Sequence, residues 1–497
     1  MSKKIRNIII SAALVLVLGL TVYIISILPK PSENTGSGSG NIASSETSLN
    51  STIPIFSYKS NEVRRVDVKN THGSYTISYV KDGEWKMLGH DEYPKNEDYY
   101  TTFIDACCQL SADKLIAESP EDMSVYGLTQ PQATVTLNYS TSEKLDIDIG
   151  SVSSSGGTYI YVKQNDKVYV VNTAWADYFT AKYTLFIDMT MVEGAELDEE
   201  GNQIDPKVQK ISYTGRGVKY PIVIERNPYY DADYDRVMNS SNNGTLEQTV
   251  KYSPFKFTAP FEIDTSEDKF DPYAYMELYA KDIVALKQTP DLLNKYGLSN
   301  PYVTIDYVLL KKSYKINLGN YFEEDGEGYY YATVSGKSPI YVVEAANVEF
   351  FKEDLIDYVS PIVVNVLIDD IKTLTVKNKG VEYKFELSGT GDDLICRWDG
   401  KKMSTAEFRD LYQLIMLVYS EESVEPNYYK GDADFTLTYT YRDSQKVDTV
   451  EYVKADVRKY LIRLNGKDLA LVRSKYIDTL SHGLTEFING RDVPSDY

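Results

Sequence analysis

The sequence predicts an α+β protein of mostly antiparallel sheet, arranged as three tandem related units with one main helix each after a single N-terminal transmembrane helix. Three observations predict this. An uncharged apolar run, Ile8–Leu28, opens the chain. One alternating strand pattern opens three successive stretches. Within each stretch several strands are interrupted by one helical segment, without the regular strand–helix alternation of a parallel sheet.

The apolar run spans 21 residues. As a helix it would be about 31 Å long, matching a hydrocarbon core of about 30 Å. It exceeds the usual h-region of a secretory signal, and Pro29-Lys30-Pro31 after it makes a poor cleavage site. An uncleaved anchor is therefore expected over residues 1–29, with a cleaved signal and a buried soluble helix as the alternatives. Lys3, Lys4 and Arg6 before the run put the N-terminus in the cytoplasm and the bulk of the chain outside, as a single-pass protein of the cell membrane. Residues 30–57 follow as a flexible linker. Pro31–Thr52 is rich in Ser, Gly and Asn and has too little apolar surface to order itself. Its Gly36–Gly40 run is closed by no Lys-Ser/Thr, so it is not a phosphate loop.

The body divides into unit one (58–193), unit two (194–364, with an insertion at about 227–260) and a diverged unit three (365–497). The shared opening reads Val63-x-x-Val66-Asp67-Val68-Lys69-Asn70, Val208-x-x-Ile211-Ser212-Tyr213-Thr214-Gly215 and Ile371-x-x-Leu374-Thr375-Val376-Lys377-Asn378. Apolar and polar residues alternate at its end with the period of a half-buried strand. A helix should follow in each unit. In unit one Asn96-Glu97-Asp98 precedes Phe103, Ile104, Cys107 and Leu110. In unit two Asp271-Pro272 precedes Tyr275, Leu278 and Tyr279. In unit three Ser404-Thr405-Ala406-Glu407 forms a capping box ahead of Phe408, Leu411, Tyr412 and Ile415. The i, i+3, i+4 spacing gives each helix one core-facing stripe.

A punctuated step comes next in the first two units: Tyr126-Gly127-Leu128-Thr129-Gln130-Pro131 and Tyr296-Gly297-Leu298-Ser299-Asn300-Pro301. The glycine reads as a left-handed cap on a short helical turn, and the proline stops continuation. Strands then start at Val135, Val303 and Phe435. Further alternation runs over Leu145–Gly150 and Tyr314–Gly319, then Val168–Val171 and Ile340–Val343. Unit three keeps strands at Tyr460–Leu464 and Leu469–Val472 but loses the Tyr-Gly-Leu-x-x-Pro step. The insertion, rich in Asn, Asp, Ser and Tyr, is expected to be a surface loop or partly disordered arm.

Anchor, tether and tandem units carrying this step resemble the domain of unknown function 4340 family, over about Glu62 to Val364 in two units with a diverged third. The resemblance implies a bacterial envelope protein of no established activity, of a kind often encoded beside ABC-type export systems. It supplies no catalytic or ligand residues to carry over.

Composition narrows the functions further. Lys+Arg 52 against Asp+Glu 73 gives a net charge of −21, which argues against nucleic acid and against polybasic docking on anionic lipid. His72, His90 and His482 lie in separate segments and form no metal motif. Cys107 and Cys108 are adjacent and Cys396 is alone, so no disulfide framework is expected. Cys107 continues a helical core stripe. The acidic loops Glu196–Asn202 and Glu323–Glu327 fail as calcium loops, because Lys207 and Ala332 stand where a bidentate Glu is required. Nucleophile-elbow and dinucleotide fingerprints are absent. No metal, cofactor or catalytic residue is therefore expected.

The 44 tyrosines are the unusual number. Tyr favours strands and covers half-buried sheet faces with its hydroxyl at the water edge, which accounts for most of them. Tyr229, Tyr230 and Tyr234, in the insertion, are the candidate partner-binding residues, since loops are less constrained by packing. The expected function is a non-enzymatic, membrane-anchored extracytoplasmic binding or accessory protein, with ABC transporter subunits or other envelope proteins as partners. The alternatives are a wall-contacting adhesive protein, for which glycan contact would matter, and a glycan-cleaving hydrolase with paired carboxylates.

Overall fold

A computed structural model describes residues 52–90, 92–242, 252–442 and 444–494. The expected anchor Ile8–Leu28 and almost all of the expected tether lie outside these residues. Among the described residues no helix is long and apolar enough to cross a membrane. Pro54–Tyr497 forms one compact unit.

Three large antiparallel sheets follow one another along the chain. The first has eight strands, in the spatial order Trp85–Met87, Gly73–Tyr79, Val63–Asn70, Ala133–Tyr139, Lys144–Val152, Thr158–Val162, Lys167–Val171 and Lys114–Glu118. The second runs Ile263–Asp264, Phe255–Ala259, Ile222–Arg226, Val208–Thr214, Val303–Leu309, Ser313–Glu324, Glu327–Val334, Ile340–Glu344 and Asp282–Ala285. The third runs Lys401–Lys402, Ile395–Trp398, Val381–Ser388, Ile371–Asn378, Ala433–Tyr441, Val447–Lys454, Lys459–Leu464, Lys467–Arg473 and Glu422–Ser423. Apart from a two-residue outer strand in the second and third, all three carry one strand order. The opening strand lies inside each sheet between its hairpin partner and a strand that arrives after the helical segment.

Alternation decides which face is covered. In Ala133–Tyr139 the residues Ala133, Val135, Leu137 and Tyr139 are buried while Thr134, Thr136 and Asn138 are half-exposed. Val303–Leu309 repeats the pattern. The half-exposed face is polar and internally bonded: Thr136 Oγ1 donates to Asp146 (2.6 Å) and Thr76 Oγ1 to Asp67 (2.6 Å). One covered and one wet face is the usual state of an antiparallel sheet.

Helices cover the first and third sheets. α1 (Glu97–Cys108) is capped by Asn96, whose side chain accepts from Tyr99 N at 3.2 Å, and α2 (Thr173–Thr180) by Asn172. Phe103 of α1 lies between Phe179 of α2 (5.3 Å) and Phe186 (4.9 Å). The second sheet has α3 (Tyr230–Asn242) and the short α4 (Pro290–Lys295). The third has α5 (Thr405–Met416) and α6 (Ser474–Ile488). There Phe385 of the sheet, Phe408 of α5 and Phe487 of α6 form a triangle with centroids 5.5–5.8 Å apart. Ser404 caps α5 by accepting from Glu407 N at 3.3 Å, but the capping box is not closed. Glu407 instead accepts from Val493 N at 2.8 Å, tying down the chain after α6.

Three expectations are corrected. The helix expected after Asp271-Pro272 is a series of turns, ending in Leu278–Tyr279, which pairs with Thr190–Val192. Glu277 sits at φ +55°, which breaks a right-handed helix. Tyr275 is held by its hydroxyl against Tyr213 Oη (2.9 Å) inside the core. One main helix per unit also fails, since the first and third sheets carry two each. Finally, the insertion is not one loop. It contains α3, and its end, Phe255–Ala259, is a strand of the second sheet whose Phe255 and Phe257 are buried. The Asn- and Ser-rich residues before it mask that alternation.

Candidate functional site

The step residues Tyr126, Gly127, Leu128 and Pro131 and their counterparts Tyr296, Gly297, Leu298 and Pro301 are brought to equivalent places. Gly127 (φ +68°) and Gly297 (φ +73°) both stand in the left-handed region that favours glycine. Leu128 N donates to Met123 O (3.1 Å) and Leu298 N to Leu293 O (2.7 Å). Each step lies on a glycine of the neighbouring hairpin. A Cβ at Gly150 would meet Tyr126 O at 2.2 Å, and one at Gly319 would meet Tyr296 O at 2.2 Å. Each step tyrosine also packs on a second ring, Tyr126 on Tyr159 (5.3 Å) and Tyr296 on Tyr331 (4.4 Å). The spacing of Gly150 and Gly319 was visible in the sequence, but their role in seating the step was not. Both steps pack against the neighbouring hairpin.

The insertion tyrosines separate. Tyr230 and Tyr234 stack on each other along α3 at 5.8 Å. Tyr229 is 52% exposed and packs against Tyr252 at 5.5 Å. Tyr229 and Tyr252 line a cavity of about 370 Å³ between the second and third sheets. One wall is the outer edge of the second sheet, with Lys256, Glu262 and Asp264. A second is the connecting segment from Ser360 to Asp370. The third is the Tyr441–Asp448 turn of the third sheet, with Leu464 and Asn465. None of these residues apart from Tyr229 was singled out by motif, because they come from segments far apart in the chain.

Four of the cavity's charged side chains are arranged in two pairs. Lys256 pairs with Glu262, which holds the Glu262 carboxyl below its ordinary value. Lys446 pairs with Asp448 at 3.0 Å. Asp448 also accepts from Tyr441 Oη and from Asn465 Nδ2 at 3.0 Å. Burial alone would raise the Asp448 carboxyl, but these donors and Lys446 outweigh it and hold it low. Asp264 differs. It accepts from two neutral donors, Asn227 Nδ2 (3.1 Å) and Ser253 N (3.0 Å), and makes no ion pair among the described residues. Burial pushes its carboxyl up to about 6, more than Ser253, Lys256 and Lys446 pull it down.

Elsewhere the chemistry is that of a core. Cys107 is fully buried and burial pushes its thiol well above its usual range; Cys108 is pushed up to about 11 and Cys396 to about 12. All three are free. His90 stacks on Tyr183 at 5.5 Å. Asp198 closes the first acidic loop by accepting from Glu200 N and Asn202 N. Among the described residues no three His, Cys, Asp or Glu side chains are grouped to hold a metal. Tyr213, Tyr275, Tyr307, Tyr330, Tyr439 and Tyr452 are fully buried, deeper than the half-buried sheet positions expected for tyrosine.

Sheet order and cavity together define an α+β protein of antiparallel sheets with a ligand-sized cleft at one sheet junction. Residues 85–216 match the family model described as Domain of unknown function (DUF4340). The matched segment runs from the edge strand of the first sheet to just past the opening strand of the second, and includes the first step but not the second. No curated protein and no solved structure matches the chain.

Proposed function

We propose that the chain is three copies of one sheet unit carried on an N-terminal membrane anchor, and that it serves as a non-enzymatic extracytoplasmic accessory or binding protein, with subunits of an ABC-type exporter as its partners. The observation that carries this reading is the work done by the repeated residues. Gly150 and Gly319 seat the step, Tyr126 and Tyr296 pack on a neighbouring ring, and Asn70 and Asn378 tie a helix to the sheet. These shared positions hold the fold, which supports a reading in which the repeated part of the chain offers surfaces and junctions. The anchor and the outward placement rest on Ile8–Leu28 and the basic residues before it. The negative charge suits a body kept soluble at an envelope surface.

The test is cross-linking in intact membranes of the source cell, followed by purification of the full chain in mild detergent. Recovery of a permease and its ATPase, repeated when the permease is the tagged member, is the expected result. Recovery of neither in both directions would remove the export reading. Protease added outside the cell should degrade the body and spare the N-terminal stub; a protected body would remove the outward placement.

A further inference from the structure

We propose that the cavity between the second and third sheets is a binding site for a small ligand carrying a protonated amine, with Asp264 facing the ammonium and the Tyr229 and Tyr252 rings covering its carbon skeleton. The inference goes beyond the accessory role and does not depend on an export partner.

Size is the first ground. About 370 Å³ lies in the range of small-molecule sites, and suits a monosaccharide-sized or short-chain ligand. Charge is the second. Both lysines of the cavity already face a carboxylate, Lys256 facing Glu262 and Lys446 facing Asp448. Among the described residues Asp264 accepts hydrogen bonds from an amide and a backbone N–H alone, and Lys256 and Lys446 act on it without pairing directly. An anion would meet an excess of carboxylates, whereas a cation beside Asp264 would supply the direct ion pair that this carboxylate lacks among the described residues. The third ground is aromatic. Tyr229 stays 52% exposed although it packs on Tyr252, so ring surface is available at the mouth of a cavity with a negative wall. Tyrosine faces offer rigid apolar area for a carbon skeleton while the carboxylate holds the charge. The wall formed by Ile362, Val363 and Val366 gives an apolar side for the skeleton.

Calorimetric titration of the full chain in detergent tests this with two matched pairs, glucosamine against glucose and cadaverine against 1,5-pentanediol. The expected result is binding of at least one amine, with its neutral mate at least tenfold weaker. Which amine binds distinguishes an amino sugar from an aliphatic diamine. Equal binding of amine and neutral mate overturns the proposal, as does binding of neither amine at millimolar concentration. Asp264→Asn should weaken the amine tenfold or more; unchanged affinity overturns the assignment. Tyr229→Ala, at an exposed position, should fold normally and weaken binding several-fold. If Asp264→Asn does not fold, unchanged affinity in Tyr229→Ala overturns the placement in this cavity.

Discussion

The second sheet differs from the first and third in what covers it. After the last long strand, the first sheet continues into α2 and the third into α6, whereas the second continues into short 3-10 turns at Ala345–Asn347, Phe350–Lys352 and Leu355–Tyr358. One position at the end of the opening strand accompanies this difference. Asn70 donates to Phe179 O (2.9 Å) and Ala181 O (2.8 Å) at the end of α2, and Asn378 donates to Ser481 Oγ (2.7 Å) in α6. The second sheet has Gly215 there, at φ +121°, where a Cβ would meet Tyr302 O at 2.7 Å. Its cover is aromatic instead, with Tyr213, Tyr275, Tyr307 and Phe350 in mutual contact. The strand order thus tolerates two kinds of cover, and alternation along the strands, common to all three, is what specifies it.

The largest effect should come from the helical cover. Phe408→Ala removes one corner of the aromatic triangle and should cost about 3–5 kcal/mol. Hydrogen exchange should show lost protection in α5 and α6 and little change in the second sheet. Uniform loss across all sheets would mean that the covers are not local.

Next comes the step. Gly319→Ala forces a Cβ onto backbone at Tyr296 O, and such overpacking costs about 1–3 kcal/mol. Gly150→Ala should do the same in the first sheet. Thermal unfolding followed by limited proteolysis near each step would show it.

The junction adds a pH dependence. Asp264 has its folded-state carboxyl raised to about 6, so the folded chain holds that proton more tightly than the unfolded one. Stability from this group is fully present below the unfolded value near 3.8 and is lost as pH rises through about 6. The change is on the order of 1–2 kcal/mol after allowing for partial solvent screening. Asp448, held low, acts oppositely, and its contribution disappears at more acid pH. Urea midpoints from pH 7 to 5 should rise relative to Asp264→Asn; a flat difference would contradict the assignment.

The smallest effect is at the tie. Asn378→Ala loses one hydrogen bond, worth about 1 kcal/mol, and should raise exchange in α6. Gly215→Asn should destabilise the second sheet and gain it no tie, because its backbone geometry excludes a side chain.

Much of this fold was legible along the chain, and most of the candidate site was not. The strands from Val135, Val303 and Phe435 stand where alternation put them, and the step glycines adopt the left-handed cap. The expected helix at Asp271-Pro272 failed because its tyrosines are held by distant partners, Tyr275 by Tyr213, which local spacing cannot register. Phe255–Ala259 was missed because a polar insertion ends directly at a strand. The cavity escaped for a different reason. Asp264, the segment from Ser360 to Asp370 and Tyr441–Asp448 are joined only by the docking of two sheets, and each alone reads as ordinary surface. Tyr229 alone was anticipated, from its place in the insertion.

In the second sheet the step residues Tyr296 and Leu298 pack on Ile340, Val284 and Ala285 of the edge strands. Hydrogen exchange of Gly319→Ala against the parent chain tests this packing most directly. The account predicts lost protection in Ile340–Glu344 and Asp282–Ala285, at the edge beside the step, with Lys467–Arg473 of the third sheet unchanged. Protection unchanged at that edge, or lost equally in the third sheet, would contradict it.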